Sequence, residues 1–483
     1  MARLFLFGIG GTGARVMKSL TMLLASGMKT GEFEIIPIII DPHESLPELN
    51  NCKTLMKLYS NINKAVYKDV TDIKDGFFYT PLNTLASIAP GTGIIEGFGI
   101  DGDYGITFGQ FLEKNNLPTK SKTSDFLSLL YSQTENFNKS LSVGFKGNPN
   151  VGSVVLNSVK DTQFFKAFET VFGLNDRVFI ISSIFGGTGA AGFPLLLKNL
   201  RKHTNSMIKD SQIGALTVMP YFKLSDPDGG NEVKSDIDSK NFLTKTKSAL
   251  TYYIKNIDNL NALYYIADPY QQAKAYKNDE AEQKNAAHII ELLGALSVIH
   301  FTTNTFPGTQ QVFEYCLNNE DPEIHFNNIG DETRKLIASS LTSIYLFNKL
   351  HLSVKEKEKL AFRKTSMFDS RFFNDPFFSN LLENFLHNYF EPWLKELSEN
   401  ERGFNPFNLS TKKGFADLIK GSKKIRKFLP GWISKSFDES DLLVKMAKNE
   451  NQYSGLNKVN KKGQYMSMAF DSINKSIEEN IQF

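Results

Sequence analysis

Two glycine-rich stretches decide the fold of this chain: GIGGTGARV at residues 8–16 and SSIFGGTGAAGFP at residues 182–194. Each follows a short apolar run, RLFLF at 3–7 and RVFII at 177–181, and each precedes apolar residues at helical spacing. A strand that enters a glycine turn and then a helix starts a parallel α/β unit. Because the turns after neighbouring parallel strands open onto one crevice, the pair predicts one ligand held from two sides.

The segments around these turns predict a doubly wound parallel sheet. Further apolar runs predict strands in FEIIPIIIDPHES (33–45), IGALTVMPYF (213–222) and ALYYIADP (262–269). The stretch NAAHIIELLGALSVIHF (285–301) is apolar on nearly every face, which is typical of a buried central helix. After about residue 330 the apolar residues follow amphipathic helical spacing, so we expect a mostly helical C-terminal region.

Composition sets broad limits on the function. The chain has 483 residues, of which 41% are hydrophobic and 22% charged, and a net charge of +3 makes no strong demand for nucleic acid. Two cysteines, Cys52 and Cys316, are too few for a disulfide framework and suit a reducing compartment. Since we find no targeting segment and no apolar run of the roughly 18–20 residues that a membrane helix needs, we expect a cytoplasmic protein.

The first glycine cluster alone leaves several ligands open. Gly8, Gly10 and Gly13 match the pattern GxGxxG, which allows the backbone to approach an anion at a helix N-terminus. An NAD-binding fold, an adenylating enzyme and a GTPase all use such a turn, and a tight turn without a ligand is a further alternative. A P-loop would need Gly-Lys-Ser/Thr, which neither cluster contains.

Both clusters together resemble the two phosphate loops of the tubulin/FtsZ superfamily, as a divergent prokaryotic tubulin-like protein would. IFGGTGAAGFP (184–194) is similar to the family signature GGGTGTG or GGGTGSG, with Phe185 in place of the first glycine. GFKGNPNVGS (144–153) resembles the family's loop near the terminal phosphate, and NAAHIIELLG (285–294) resembles the start of its central helix. The resemblance covers residues 1 to about 326.

The resemblance implies GTP or GDP as the ligand, with Mg²⁺. Asp41, at the end of the second strand, would reach the ribose or the waters of the Mg²⁺ ion, and Asn285 would recognise the purine edge, with helix capping as its alternative role. No residue is predicted to ligate a metal directly. The phosphates would be held by Gly10, Gly11, Thr12 and Gly13 from one side, by Gly186, Gly187, Thr188, Gly189 and Ala190 from the other, and by Gly147, Asn148 and Pro149 near the terminal phosphate.

Hydrolysis is where the sequence departs from the family. The family completes GTP hydrolysis across a subunit contact with a loop of the form N-x-D. In FPGTQQVFEYCL (306–317), Gln311 and Phe313 stand at those positions, and Glu314 is the one nearby carboxylate. We therefore predict Glu314 as the catalytic residue, supplied by a loop at 306–316, and slow or assembly-dependent hydrolysis.

The predicted function is a GTP-binding, tubulin/FtsZ-like protein that self-associates head to tail into filaments. Two alternatives stay open: a tubulin-like scaffold that binds the nucleotide without hydrolysing it, and a Rossmann-type NAD or adenylating enzyme that uses only the first turn.

We expect two domains. Residues 1–326 would form the nucleotide-binding domain, with an insertion near 75–143, and residues 327–483 the helical region. Residues 401–483 contain 15 Lys and Arg against 9 Asp and Glu. The basic stretch at 412–427 is suited to an acidic partner, nucleic acid or a membrane surface, although a solvated helical face is the more common role of such residues.

Overall fold

The computed structural model describes most of the chain in detail. The described residues are 1–42, 47–68, 70, 73–94, 105–114, 121–132, 136–142, 144–145, 147–224, 242–257, 259–268, 275–276, 286–317, 323–356, 368–400, 402–408, 414–425, 437–454 and 460–483.

A six-stranded, wholly parallel sheet forms the centre of the protein. In the order in which they lie side by side, its strands are β2 (Phe33–Ile40), β1 (Ala2–Ile9), β3 (Arg177–Ser183), β4 (Ile213–Val218), β6 (Ala262–Ala267) and β8 (Gln311–Cys316). Short two-residue strands are β5 (Lys223–Leu224), β7 (Ala275–Tyr276), β9 (Glu323–Ile324), β10 (Gly403–Phe404), β11 (Lys423–Lys424) and β12 (Ile481–Gln482).

Helices connect and cover these strands. Up to the last strand of the sheet they are α1 (Gly10–Ala25), α2 (Pro47–Tyr67), α3 (Leu85–Ile88), α4 (Phe108–Lys114), α5 (Lys122–Leu130), α6 (Pro149–Leu156), α7 (Gln163–Val171), α8 (Gly187–Arg201), α9 (Ser206–Lys209), α10 (Phe242–Asn256) and α11 (Ile289–Thr303). The insertion predicted near 75–143 contains α3, α4 and α5.

Helices pack on both faces of the sheet, so the predicted doubly wound α/β fold is confirmed. Phe5 lies opposite Val178 in the register of β1 and β3, and Phe179 therefore points to the other face. Phe5 packs against Phe168 of α7, with ring centroids 4.9 Å apart, whereas Phe179 packs against Phe301 of α11 at 5.3 Å. The two faces thus have separate aromatic cores.

The predicted central helix is α11, which begins at Ile289. Twelve of its residues are buried, and its Gly294 lies against Leu216 of the sheet and Val16 of α1, which leaves no room for a larger side chain. The helix is therefore packed against both the sheet and α1.

The C-terminal region is mostly helical, as predicted. Its aromatic stretch is core: Phe378, Phe385, Phe390 and Trp393 are fully buried. The helices are α12 (Asp331–Glu356), α13 (Ser370–Phe373), α14 (Glu383–Phe385), α15 (Glu391–Glu399), α16 (Phe415–Leu418), α17 (Glu439–Ser454) and α18 (Lys461–Asn480), with π-helical turns at Phe377–Leu382 and Leu386–Phe390 and 3₁₀ turns at Asn157–Asp161 and Phe326–Asn328.

Candidate functional site

The two glycine turns face each other at the carboxyl edge of the sheet. Gly10 has φ +73°, a conformation that favours glycine, and it begins α1 directly after β1. A Cβ atom at Gly10 would lie 3.5 Å from Cβ of Thr188 and 3.8 Å from the backbone nitrogen of Gly189. The first turn of α1 therefore meets the first turn of α8, as the sequence predicts for turns that hold one ligand.

A third segment joins them. A Cβ atom at Gly187 would lie 3.0 Å from the backbone nitrogen of Gly147 and 3.1 Å from that of Asn148. Asn148 is the N-cap of α6, which begins at Pro149. The structure thus brings together all three loops that the sequence analysis assigned to the phosphates.

The electrostatics of this edge favour an anion. None of the three helices α1, α6 and α8 has an acidic residue in its first turn. Their N-caps, Ile9, Asn148 and Gly186, form no side-chain capping hydrogen bond. The first N–H groups of a helix lack partners within the helix and have a partial positive charge, so three converging N-termini create a positive potential.

Space is available against the first of these turns. Apart from its chain neighbours and the backbone of α1, no atom of the described residues lies within 4 Å of the position that a Cβ atom would take at Gly11. Gly10, Thr12 and Gly13 are buried, whereas Gly11 and Thr188 are half-buried. A phosphate group could therefore approach the backbone at Gly11 without displacing a side chain.

The remaining predicted ligands lie at different places. Asp41 follows β2, next to β1, and is half-buried at the same edge of the sheet. Asn285 lies outside the described residues.

Phe185, which replaces a glycine of the family signature, is buried and packs against Phe242 and Phe222, with ring centroids 4.8 and 5.4 Å apart. The second turn therefore begins at Gly186.

Glu314 does not lie in a loop, which corrects the prediction for 306–316. Residues 311–316 form β8, and Glu314 stands exposed in the middle of this strand, opposite Tyr265 of β6. β8 lies three strands from β3, about 14 Å away at the ~4.8 Å spacing of neighbouring strands. Glu314 is therefore remote from the glycine turns of its own chain.

A buried group of charged side chains lies beside the turns, and the sequence analysis assigned no role to its members. Arg15 Nε, on the second turn of α1, is 3.2 Å from Oε1 of Glu291, and Arg15 Nη1 is 3.5 Å from Oε1 of Glu48. Glu291 also accepts a hydrogen bond of 2.8 Å from the Tyr221 hydroxyl. The first turns of α2 and α11 are thus tied to α1.

Burial controls protonation in this group. Burial raises the pKa of Glu48 to about 7, although Arg15 acts against this shift. Burial, with Arg15 as the second cause, lowers the pKa of His288 to about 3, so this imidazole is neutral at neutral pH. Its Nδ1 accepts a 3.1 Å hydrogen bond from the backbone N–H of Ile290 and caps α11.

The C-terminal region contacts the start of α11. Glu396 of α15 forms a 2.9 Å ion pair with Lys18 of α1 and accepts a 3.2 Å hydrogen bond from the backbone N–H of Ala287. Asn400 donates its side-chain amide to the carbonyl of Ala287. The segment that enters the central helix is therefore bordered by residues from beyond position 390.

Within the part of the chain that the structure describes, no cluster of three or more His, Cys, Asp or Glu side chains could hold a metal ion. Among the same residues, no helix is long and apolar enough to cross a membrane. Of the basic stretch at 412–427, Lys420 pairs with Glu323 at 2.7 Å and Lys424 pairs with Asp417, whereas Lys412, Lys413, Arg426 and Lys427 lie outside the described residues.

No protein-family model and no curated protein matches this chain. Among solved structures it is similar to CetZ from Methanosaeta thermophila, at 12% identity and a TM-score of 0.30, over 63% of this chain and 54% of that one. It is also similar to a GTPγS-form protofilament of Bacillus thuringiensis serovar israelensis TubZ, at 12% identity and a TM-score of 0.25, over 62% of this chain and 56% of that one. Each match spans little more than half of the solved chain.

Proposed function

We propose that this chain binds one GTP or GDP across the carboxyl edge of its sheet, with the phosphates between α1 and α8. The supporting observation is the approach of Gly10 to Thr188 and Gly189, which places two helix N-termini on opposite sides of one crevice. A dinucleotide-binding fold normally needs only the first turn, so the second turn favours a ligand whose phosphates are enclosed from both sides.

The residues around the crevice fit the other parts of a nucleotide. Asp41 is half-buried at the end of β2, where its carboxylate can accept hydrogen bonds from a ribose or from waters on Mg²⁺. Thr188 can donate its hydroxyl to a phosphate oxygen, a charge-assisted hydrogen bond. Asn285 remains our proposed purine-recognising residue.

We further propose that copies of the chain associate head to tail, and that hydrolysis is slow and depends on this contact. A head-to-tail contact propagates into a filament unless it closes. Because Glu314 is exposed and remote from the turns of its own chain, any catalytic role that it has would be towards the nucleotide of a neighbour. Turnover that uses Glu314 would then require assembly.

A binding-only scaffold is the second candidate. Glu314 is the one carboxylate between residues 304 and 317, and it belongs to a strand rather than to a loop that could adjust around a water molecule. Since positioning of water and stabilisation of charge provide most of the catalysis in phosphoryl transfer, this arrangement favours tight binding over turnover.

Calorimetric titration of the full chain with GTP, GDP, ATP and NAD tests the ligand. We expect GTP and GDP to bind more tightly than ATP, with no binding of NAD. Equal affinity for ATP would contradict the guanine assignment, and preferential binding of NAD would support the Rossmann-type alternative. The nucleotide that copurifies with the protein, identified by chromatography after denaturation, is an independent check.

A further inference from the structure

Ala287, two residues before the start of α11, is hydrogen-bonded to the C-terminal region through both its backbone N–H and its carbonyl group. Ala287 donates its N–H to Glu396 Oε2 at 3.2 Å, and its carbonyl accepts a hydrogen bond from the Asn400 side chain. Both partners lie more than 100 positions further along the chain. The position of Ala287 therefore depends on how the C-terminal region is seated.

The same carboxylate also contacts α1, more than two helical turns beyond its N-terminus. Glu396 Oε2 is 2.9 Å from Nζ of Lys18, on the helix that begins with Gly10. The side chains of Lys18 and Glu396 are 16% and 34% exposed, so the pair is partly shielded from water. One oxygen atom thus joins α1, the entry to α11 and α15.

A second contact supports the seating of this region. Arg402 Nη1 lies 3.0 Å from Oδ1 of Asp268, and both side chains are at least 97% buried. Asp268 directly follows β6, at the same edge of the sheet as the glycine turns. Breaking a buried pair of this kind is costly, so the segment after α15 is firmly held at this edge.

From these contacts we propose that Glu396 is a positioning residue through which the C-terminal helical region sets the affinity of the site for the purine part of the nucleotide. The proposal rests on the proposed function, because it assigns the purine to the side of the crevice next to Ala287. The phosphates, held by the first turns of α1, α6 and α8, do not depend on Glu396.

Coupling of this kind is reciprocal. If the seated C-terminal region strengthens nucleotide binding, then a bound nucleotide must stabilise the seated C-terminal region by the same free energy. We therefore expect bound GTP to slow amide hydrogen exchange at Ala287 and across residues 397–400.

The test compares two glutamates of α15. Glu396→Ala removes the contacts to Lys18 and Ala287, whereas the one ion pair of Glu399 among the described residues, with Lys395, is exposed. Each full-length variant is titrated with GTP and with inorganic tripolyphosphate, which has phosphates but no purine. We expect Glu396→Ala to weaken GTP binding by about tenfold and tripolyphosphate binding by no more than about twofold. Glu399→Ala should change neither.

Two further variants keep the test decisive if Glu396→Ala folds poorly. Glu396→Gln retains an acceptor for the Ala287 N–H and should restore part of the lost GTP affinity. Lys18→Met breaks the ion pair from the side of α1 and should weaken GTP binding without weakening tripolyphosphate binding.

Two titration results would overturn the inference and leave the proposed function standing. One is unchanged GTP affinity in folded Glu396→Ala, and the other is an equal loss for GTP and tripolyphosphate, which would indicate a general structural effect. If the unaltered protein binds neither compound, the proposed function itself fails and the inference fails with it. Hydrogen exchange that GTP does not slow at 397–400 in the unaltered protein would also contradict the coupling.

Discussion

Gly10 and Thr188 lie 178 positions apart in the chain, yet a Cβ atom on Gly10 would be 3.5 Å from Cβ of Thr188. The contact exists because β1 and β3 are neighbours in the sheet, and each passes directly into a glycine turn and a helix. Two helix N-termini that meet in this way add their partial positive charges at one place.

The first prediction concerns Gly11, whose side-chain position is open. Gly11→Val should leave the free energy of unfolding almost unchanged, because no described residue outside the local backbone of α1 comes within 4 Å of the new Cβ. It should nevertheless weaken GTP binding by at least about 100-fold, since the valine side chain would occupy the space of a phosphate. Gly308→Val, at a glycine with equally open surroundings outside the site, is the matched control. Equal GTP affinity in both variants would mean that the first turn is only structural.

The second prediction concerns Gly10, where backbone conformation and space both matter. Gly10→Ala places a side chain at φ +73°, which costs roughly 1–2 kcal/mol for an L-residue. The Cβ atom itself would make ordinary contact with Thr188. Urea denaturation should show a loss of that size, and no loss would contradict the left-handed conformation of the turn.

The third prediction uses the pKa of Glu48, which burial raises from 4.5 to about 7. Between these pH values the folded state binds a proton that the unfolded state has lost, so this group makes the free energy of unfolding fall as pH rises. Glu48→Gln removes that dependence. Its stability relative to the unaltered protein should therefore increase by on the order of 3 kcal/mol between pH 4 and pH 8.

Urea denaturation at a series of pH values measures this difference. The opposite contribution of His288, whose lowered pKa makes stability rise with pH up to about 6.5, is present in both proteins and cancels. Glu399→Gln, at an exposed position, provides the control. A difference between Glu48→Gln and the unaltered protein that does not change with pH would show that Glu48 titrates normally.

The fourth prediction joins assembly to turnover. If a neighbour completes the site, phosphate release per chain should rise with protein concentration. More protein should sediment as assemblies in the presence of GTP than in the presence of GDP. Glu314→Ala should lower turnover while nucleotide affinity is preserved. Monomers with GTP, GDP and a non-hydrolysable analogue would contradict the filament proposal, whereas turnover independent of concentration would indicate a self-contained site.

Local sequence was enough to predict the sheet and the glycine turns. Apolar runs such as those at 3–7 and 177–181 are buried on both faces, and the glycines that follow mark the turn without any tertiary information. The strand at 311–316 was not predicted, because the family resemblance favoured a loop there. The alternation of Val312, Glu314 and Cys316 with Phe313 and Tyr315 has the two-residue period of a strand.

The charged group around Arg15 could not be predicted in the same way. Arg15 and Glu291 are 276 positions apart, and no local spacing relates them. The one signal in the sequence is that Glu291 interrupts the apolar run of α11, where an unpaired carboxylate would be costly. Such a residue indicates a buried partner but does not identify it.

The most direct test of the account is a calorimetric titration of GTP into the unaltered chain and into Thr188→Ala. One site per chain is expected in both proteins, because both turns hold the same ligand. Loss of one hydrogen bond to a charged phosphate should weaken binding by roughly 1.5–3 kcal/mol, about 10- to 150-fold. Unchanged affinity in Thr188→Ala, or two independent sites in the unaltered chain, would contradict the claim that one nucleotide is held between the two turns.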